Sequence, residues 1–211
     1  MQKSRDFIIK DTDQILNRQL DFGCRQISYE IEVYYNGDTY MACQAILITR
    51  NDTIIFGRLH LLNYDDKIML RRDFKKNKSA ISSYTKQHRQ LYKLKVTSRE
   101  FRKDLSKQII FGFGCSHSGN YYPPEAKKMM KYVLTKNQVR LSKWAKRINP
   151  ELQAYGASGL LRLENSGNKL SDQELKIINH LKERNTKIHS CSGCIYGLHF
   201  DFKKVITWGI N

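Results

Sequence analysis

From Ile27 to Tyr35 an apolar residue falls at every second position (Ile27, Tyr29, Ile31, Val33, Tyr35), and the run stops at Asn36-Gly37-Asp38. A two-residue period puts every apolar side chain on one side of an extended strand, and an Asn-Gly pair supplies the backbone freedom of a tight hairpin turn. The same alternation returns at Met41, Cys43, Ala45 and Leu47 within Thr39 to Thr49, and Asn51-Asp52 marks a second turn. Thr53 to Leu62 and Lys67 to Arg72 extend the series, with Asn63 to Asp66 as the third turn. The first part of the chain is therefore predicted to be a four-stranded antiparallel β-meander, preceded by a short helix over Asp13 to Leu20.

Beyond Arg72 the period changes. Ser79 to Leu94 reads as a helix with a thin apolar stripe (Ile81, Tyr84, His88, Leu91, Tyr92). Thr97-Ser98-Arg99-Glu100 is a capping box, which predicts a helix from Ser98 to about Phe111. Pro123-Pro124 opens the next helix, since proline is tolerated in a first turn. That helix, continuous or broken near Thr135 to Asn137, ends near Asn149-Pro150. Glu151 to Glu164 forms another helix with glycines at 156 and 159, and Ser171-Asp172-Gln173-Glu174 caps a short amphipathic one. Two β segments, Ile195 to Phe202 and Lys204 to Trp208, close the chain. The fold class expected is α+β, with a β-rich region over 1–72 and a helical, basic region over 73–211 that carries the Cys/His loops; the two can belong to one domain.

Charge follows the same division. The formal net charge is +17, and the segments Arg71 to Lys107 (+10) and Lys127 to Arg147 (+8, with no acidic residue) hold all of the excess. On a helix, the apolar positions of the second segment (Met130, Val133, Leu134, Leu141, Trp144, Ile148) leave its cations on the outer face. Soluble faces ordinarily intersperse both signs, so a face of one sign points to an anionic partner. The residues expected to contact nucleic acid are Arg71, Arg72, Lys75, Lys76 and Arg89 in the first segment, and Lys128, Lys131, Arg140, Lys143 and Arg147 in the second. Tyr84, His88, Tyr92 and Phe101 lie among the cations of the first segment, where aromatic rings can stack on unpaired bases; this tilts the expectation towards RNA or single strands. A membrane surface is the weaker partner, because the bulky apolar residues of the second segment are better used as core.

The five cysteines include the knuckle Cys191-Ser192-Gly193-Cys194. With Cys115 and His117 it supplies four ligands, the number taken by a structural zinc ion, and His189 is a further candidate; ordinary buried cysteines are the competing reading. Such spacing suits reduced intracellular thiols, and with no membrane span and no apolar signal core at the N-terminus the expected location is cytoplasmic. No Walker loop, dinucleotide fingerprint or zinc-deaminase pattern is present. The best carboxylate set for a metal-dependent nuclease (Glu30, Glu32, Asp65, Asp66, with Lys67) looks more like the solvent face of a hairpin sheet. The reading that results is a non-enzymatic nucleic-acid-binding protein. Its runner-up is a structural component of a nucleoprotein particle, such as a phage virion or ribosome-like body, that meets an acidic protein partner.

Overall fold

The structure, a computed structural model, describes residues 7–35, 39–63, 67–116 and 121–208. It is α+β: an antiparallel meander, then helices, then a two-stranded sheet. The strands of the meander are β1 (Phe7–Gln19), β2 (Cys24–Tyr35), β3 (Thr39–Arg50), β4 (Thr53–Leu62) and β5 (Ile68–Lys76), hydrogen-bonded in chain order. The helices are α1 (Lys78–Tyr92), α2 (Ser98–Leu105), α3 (Pro124–Leu134), α4 (Gln138–Ala145), α5 (Pro150–Asn165) and α6 (Asp172–Arg184). Strands β6 (Lys187–Ser192) and β7 (Ile195–Asp201) and the short helix α7 (Phe202–Val205) follow. The chain divides into two compact units, Met1–Ser83 and Tyr84–Asn211.

In the first unit the meander has five strands, not four. Asp13 to Leu20, predicted helical, lies mostly in β1, which pairs with β2 along its length. Two β-bulges explain why this strand was hidden. Lys10 and Ile15 are extra residues opposite β2, and each resets the alternation, leaving apolar residues at spacings that mimic a helix. The turn from β1 to β2 places Phe22 and Gly23 at φ 59° and 70°, and that from β3 to β4 places Asn51 and Asp52 at 48° and 57°. Consecutive left-handed residues match the right-handed twist of the strands they join. The expected turn at Asn36-Gly37-Asp38, and all but Asn63 of the one at Asn63 to Asp66, lie outside the described residues, although Tyr35 pairs with Thr39 across the first.

The register assigns two faces to this sheet, and their burial is unusual. One carries rows such as Arg18–Gln26–Ile48–Phe56 and Glu30–Gln44–His60–Arg71. Arg18, Gln26, Ser28, Gln44, Arg58 and His60 are all buried on it, among the buried apolar side chains of Cys24, Ala42, Ile46, Ile48, Phe56 and Leu62. Arg18 donates twice to Gln26 Oε1, at 3.0 and 2.8 Å, and Arg58 pairs with Asp73 at 2.6 Å. The other face holds the apolar alternation read from the sequence, where Ile27, Tyr29, Ile31, Val33, Met41, Cys43 and Leu47 are half-exposed and Ala45 is buried.

The second unit contains the large apolar core, built around α5. Gly156 and Gly159 are there for close approach. A Cβ at Gly156 would collide with the backbone nitrogen of Ala145, and one at Gly159 would stand 2.5 Å from the Leu141 side chain. Both predicted capping boxes form, Thr97 with Glu100 and Ser171 with Glu174. Helix α2 is shorter than predicted. It stops at Leu105, and the chain runs on extended so that Phe111 bridges to Ser190 of β6 in parallel. Lys204 to Trp208, predicted as a strand, begins inside α7 instead, because Phe202, Val205 and Ile206 are buried at helical spacing. The partner of β7 is β6, which the sequence reading did not mark.

Candidate nucleic-acid interface

The second basic segment forms a corner. Helix α3 ends at Leu134, Lys136 adopts a left-handed φ of 48°, and Asn137 caps α4 by accepting a hydrogen bond from the Arg140 amide at 3.2 Å. The break near Thr135 to Asn137 foreseen from the sequence is thus a three-residue turn. Lys127, Lys128, Lys131, Lys136, Arg140 and Lys143 are all exposed around it. Among the described residues no carboxylate pairs with Lys128, Lys131, Lys136, Arg140 or Lys143. Glu125, in the first turn of α3, is already taken by Lys107 at 2.7 Å.

Arg147 belongs elsewhere. Its guanidinium reaches Asp104 at 2.6 and 2.8 Å and Glu100 at 3.2 Å, with its side chain 17% exposed. Burial alone would lower its pKa, but the two carboxylates outweigh it and hold the guanidinium charged. Asp104 also accepts from the Ile148 amide, so Arg147 ties α2 to the turn before α5. It is a structural ion pair, withdrawn from the surface to which the sequence reading assigned it.

Two apolar residues at the corner were missed. Leu134 is 82% exposed and Val139 80%, flanking the turn among the cations. The sequence reading placed Leu134 on an inward stripe, which holds only if the helix is continuous. The helix-stop signal of Thr135-Lys136-Asn137 was the clue, because a turn there swings neighbouring positions away from the core.

Residues of the first basic segment fall on different elements. Arg71, Arg72, Lys75 and Lys76 all lie exposed on the edge strand β5, with Lys76 reaching Asp73 at 3.2 Å. Arg89 is exposed in the last turn of α1. Tyr84, His88, Tyr92 and Phe101 are buried against each other: Tyr84 meets Phe101 edge-on at 5.0 Å, and His88 stacks on Tyr92 at 4.5 Å. They are core residues and offer no face to a base. The ground for preferring unpaired strands goes with them.

The cysteine cluster assembles differently from the expectation. Cys115 and Cys191 are joined as a disulfide, contrary to the reading of reduced thiols. Two of the four expected zinc ligands, Cys115 and Cys191, are thus paired with each other. Cys194 is exposed outside the disulfide, and His117 lies outside the described residues. The loop from Gly112 does run against the C-terminal sheet, through the Cys115–Gly193 bridge and the Gly193 amide, which donates to the Gly114 carbonyl at 3.2 Å. His189 stacks on His199 across β6 and β7 at 5.4 Å.

Of the nuclease carboxylates, Glu30 and Glu32 sit opposite Asp13 and Asp11 on one sheet face, and Asp65 and Asp66 lie outside the described residues. Among the described residues no group of three or more His, Cys, Asp or Glu is placed to hold a metal ion, and no helix is long and apolar enough to cross a membrane. No family model, no curated protein and no solved structure matches this chain.

Proposed function

We propose that this protein binds nucleic acid, without covalent chemistry, through the corner formed by α3 and α4. The observation that carries the reading is the cluster of Lys128, Lys131, Lys136, Arg140 and Lys143, exposed together with no carboxylate paired to any of them. Like charges held this close repel each other, and a phosphate backbone relieves that repulsion while releasing its own counterions. Such contacts give affinity and position, not sequence readout. Leu134 and Val139 add apolar contact at the apex of the same corner, suited to sugar or base edges in a groove.

If about five phosphates are neutralised on a duplex, log affinity falls with log salt at a slope near −4 to −5. Reversing Lys131, Arg140 and Lys143 to Glu should flatten that slope by roughly 3 and leave the far-UV spectrum unchanged. A salt-independent affinity, or one indifferent to the triple change, overturns the reading. The assembly reading draws on the same corner, with an acidic protein in place of phosphates and the two apolar residues seated in its surface. Leu134→Ser with Val139→Ser separates them: phosphate binding survives the change, and a protein contact centred on those residues does not.

A further inference from the structure

Helix α4 is gripped on one side and free on the other. Leu141 and Ala145 are buried and meet α5 where Gly156 and Gly159 leave room for them. Gln138 donates to Glu174 Oε2 at 2.7 Å, and Ser142, one turn later, bonds to the same carboxylate. Glu174 is in turn held by Ser171 in the capping box of α6 and is only 6% exposed, so this carboxylate faces inward. The free side of α4 carries Val139, Arg140 and Lys143, all exposed. At 3.6 residues per turn these three fall within about 100° of each other, on one face. The first turn of α4 holds no acidic residue, and among the described residues no carboxylate pairs with Arg140 or Lys143.

We propose that α4 is a reading helix, which enters the major groove of B-form DNA and recognises base edges there. The proposal rests on the nucleic-acid reading above and names its ligand as duplex DNA. Connectivity, size and side-chain chemistry all fit. Two helices joined by a three-residue turn, with Met129 of α3 and Leu141 of α4 both packed into the core around α5, have the order of a helix-turn-helix reader. In that arrangement the first residues of the second helix meet base edges while the first helix meets the backbone. Val139 and Arg140 are the second and third residues of α4, and Lys127, Lys128 and Lys131 are exposed on α3. A helix with its side chains is about 10–12 Å across, and the B-form major groove is about 12 Å wide. The same groove of A-form RNA is deep and too narrow to admit it. The Arg140 guanidinium suits two parallel hydrogen bonds to guanine O6 and N7, and Val139 suits the methyl group of a neighbouring thymine. The lysine contacts are common to every sequence, so discrimination falls to these two side chains.

The test offers the full chain a pool of DNA duplexes randomised over a central segment, at physiological salt, and sequences the bound fraction. A short element with guanine beside thymine should be enriched. Within it, adenine in place of the guanine should weaken binding by roughly tenfold or more. Arg140→Lys, which keeps the charge and gives up the fork, should lose that preference. Uracil in place of the thymine removes one methyl group and should weaken binding by about fourfold, an effect that Val139→Ser should abolish. Salt-dependent binding with no enriched element overturns the proposal and leaves the nucleic-acid reading standing. An enriched element whose guanine preference survives Arg140→Lys also overturns it, as does duplex RNA of the same sequence bound as tightly as the DNA. No salt-dependent binding to any duplex removes both the proposal and the reading beneath it. Enrichment, base replacement and the RNA comparison all use the unmodified chain, so they decide the matter even where a variant fails to fold.

Discussion

His60 offers the sharpest test of how the sheet unit is held together. It is fully buried on β4, in the row Glu30–Gln44–His60–Arg71, and neither ring nitrogen has a hydrogen-bond partner among the described residues. Burial, reinforced by the cations of Arg71 and Arg58 and opposed by Asp73, lowers its pKa from 6.5 to about 4. The unfolded chain then takes up a proton as pH falls through 6.5, and the folded chain does not until about 4. Stability is therefore lost on acidification across that window, and the loss accumulates to about 3 kcal/mol, at about 1.4 kcal/mol for each tenfold difference in proton affinity. His60→Leu removes the titrating group and an unsatisfied buried ring, and leaves apolar volume in its place. Its stability should lie within about 1 kcal/mol of the parent or above it at neutral pH, and exceed it by about 3 kcal/mol near pH 4.5. The assay is urea unfolding followed by far-UV circular dichroism, because Trp144 and Trp208 both lie in the second unit and are silent on the sheet. Two results refute the reasoning: a difference between the proteins that stays constant across the pH range, or a His60→Leu protein clearly less stable at neutral pH.

Two other substitutions probe the helical unit, where tryptophan fluorescence is the readout. Arg147→Met strands Asp104, whose side chain is 7% exposed, and should lower the urea-unfolding free energy by about 3–5 kcal/mol; adding Asp104→Asn should recover part of it. Affinity of the folded Arg147→Met protein for a duplex should be unchanged, which checks that this residue is structural. Gly156→Ala pushes a methyl group into the backbone of Ala145 and should cost about 1–3 kcal/mol or more, read as a lowered Tm.

Much of the architecture was legible because its signals are local. The alternation of β2 and β3, the Asn51-Asp52 turn and the two capping boxes each sit within a few residues, and all of them form. Strand β1 was not legible, since its bulges erase the period on which strand recognition depends. Strand β6 was missed because its partners, β7 and Phe111, specify it from elsewhere in the chain. The basic corner could be located from charge alone, as Lys128, Lys131, Arg140 and Lys143 carry no acidic neighbour in sequence. Arg147 looked identical to them by that criterion. Its difference comes from Asp104 and Glu100, more than forty residues away, and only the packing of α2 against the turn before α5 brings them together. Burial of the aromatic residues had the same origin: Tyr84 meets Phe101 only once α1 and α2 pack.

The stretch after α2 has a consequence for the order in which the molecule is made. Phe111 hydrogen-bonds to His189 and Cys191, and Cys115 is bonded to Cys191, so this segment finds its strand partner nearly eighty residues later. Tyr155 holds the same segment earlier, accepting from the Gly112 amide at 3.0 Å and donating to the Ile110 carbonyl at 2.9 Å. During synthesis α5 can therefore seat residues 110–112 while β6 is still unmade. A nascent chain stopped before residue 187 would hold a helical cluster with an open strand edge, and the arrival of β6 seals it. Closure over so long a separation is the slow step expected of this unit, set by the chain entropy of a distant contact.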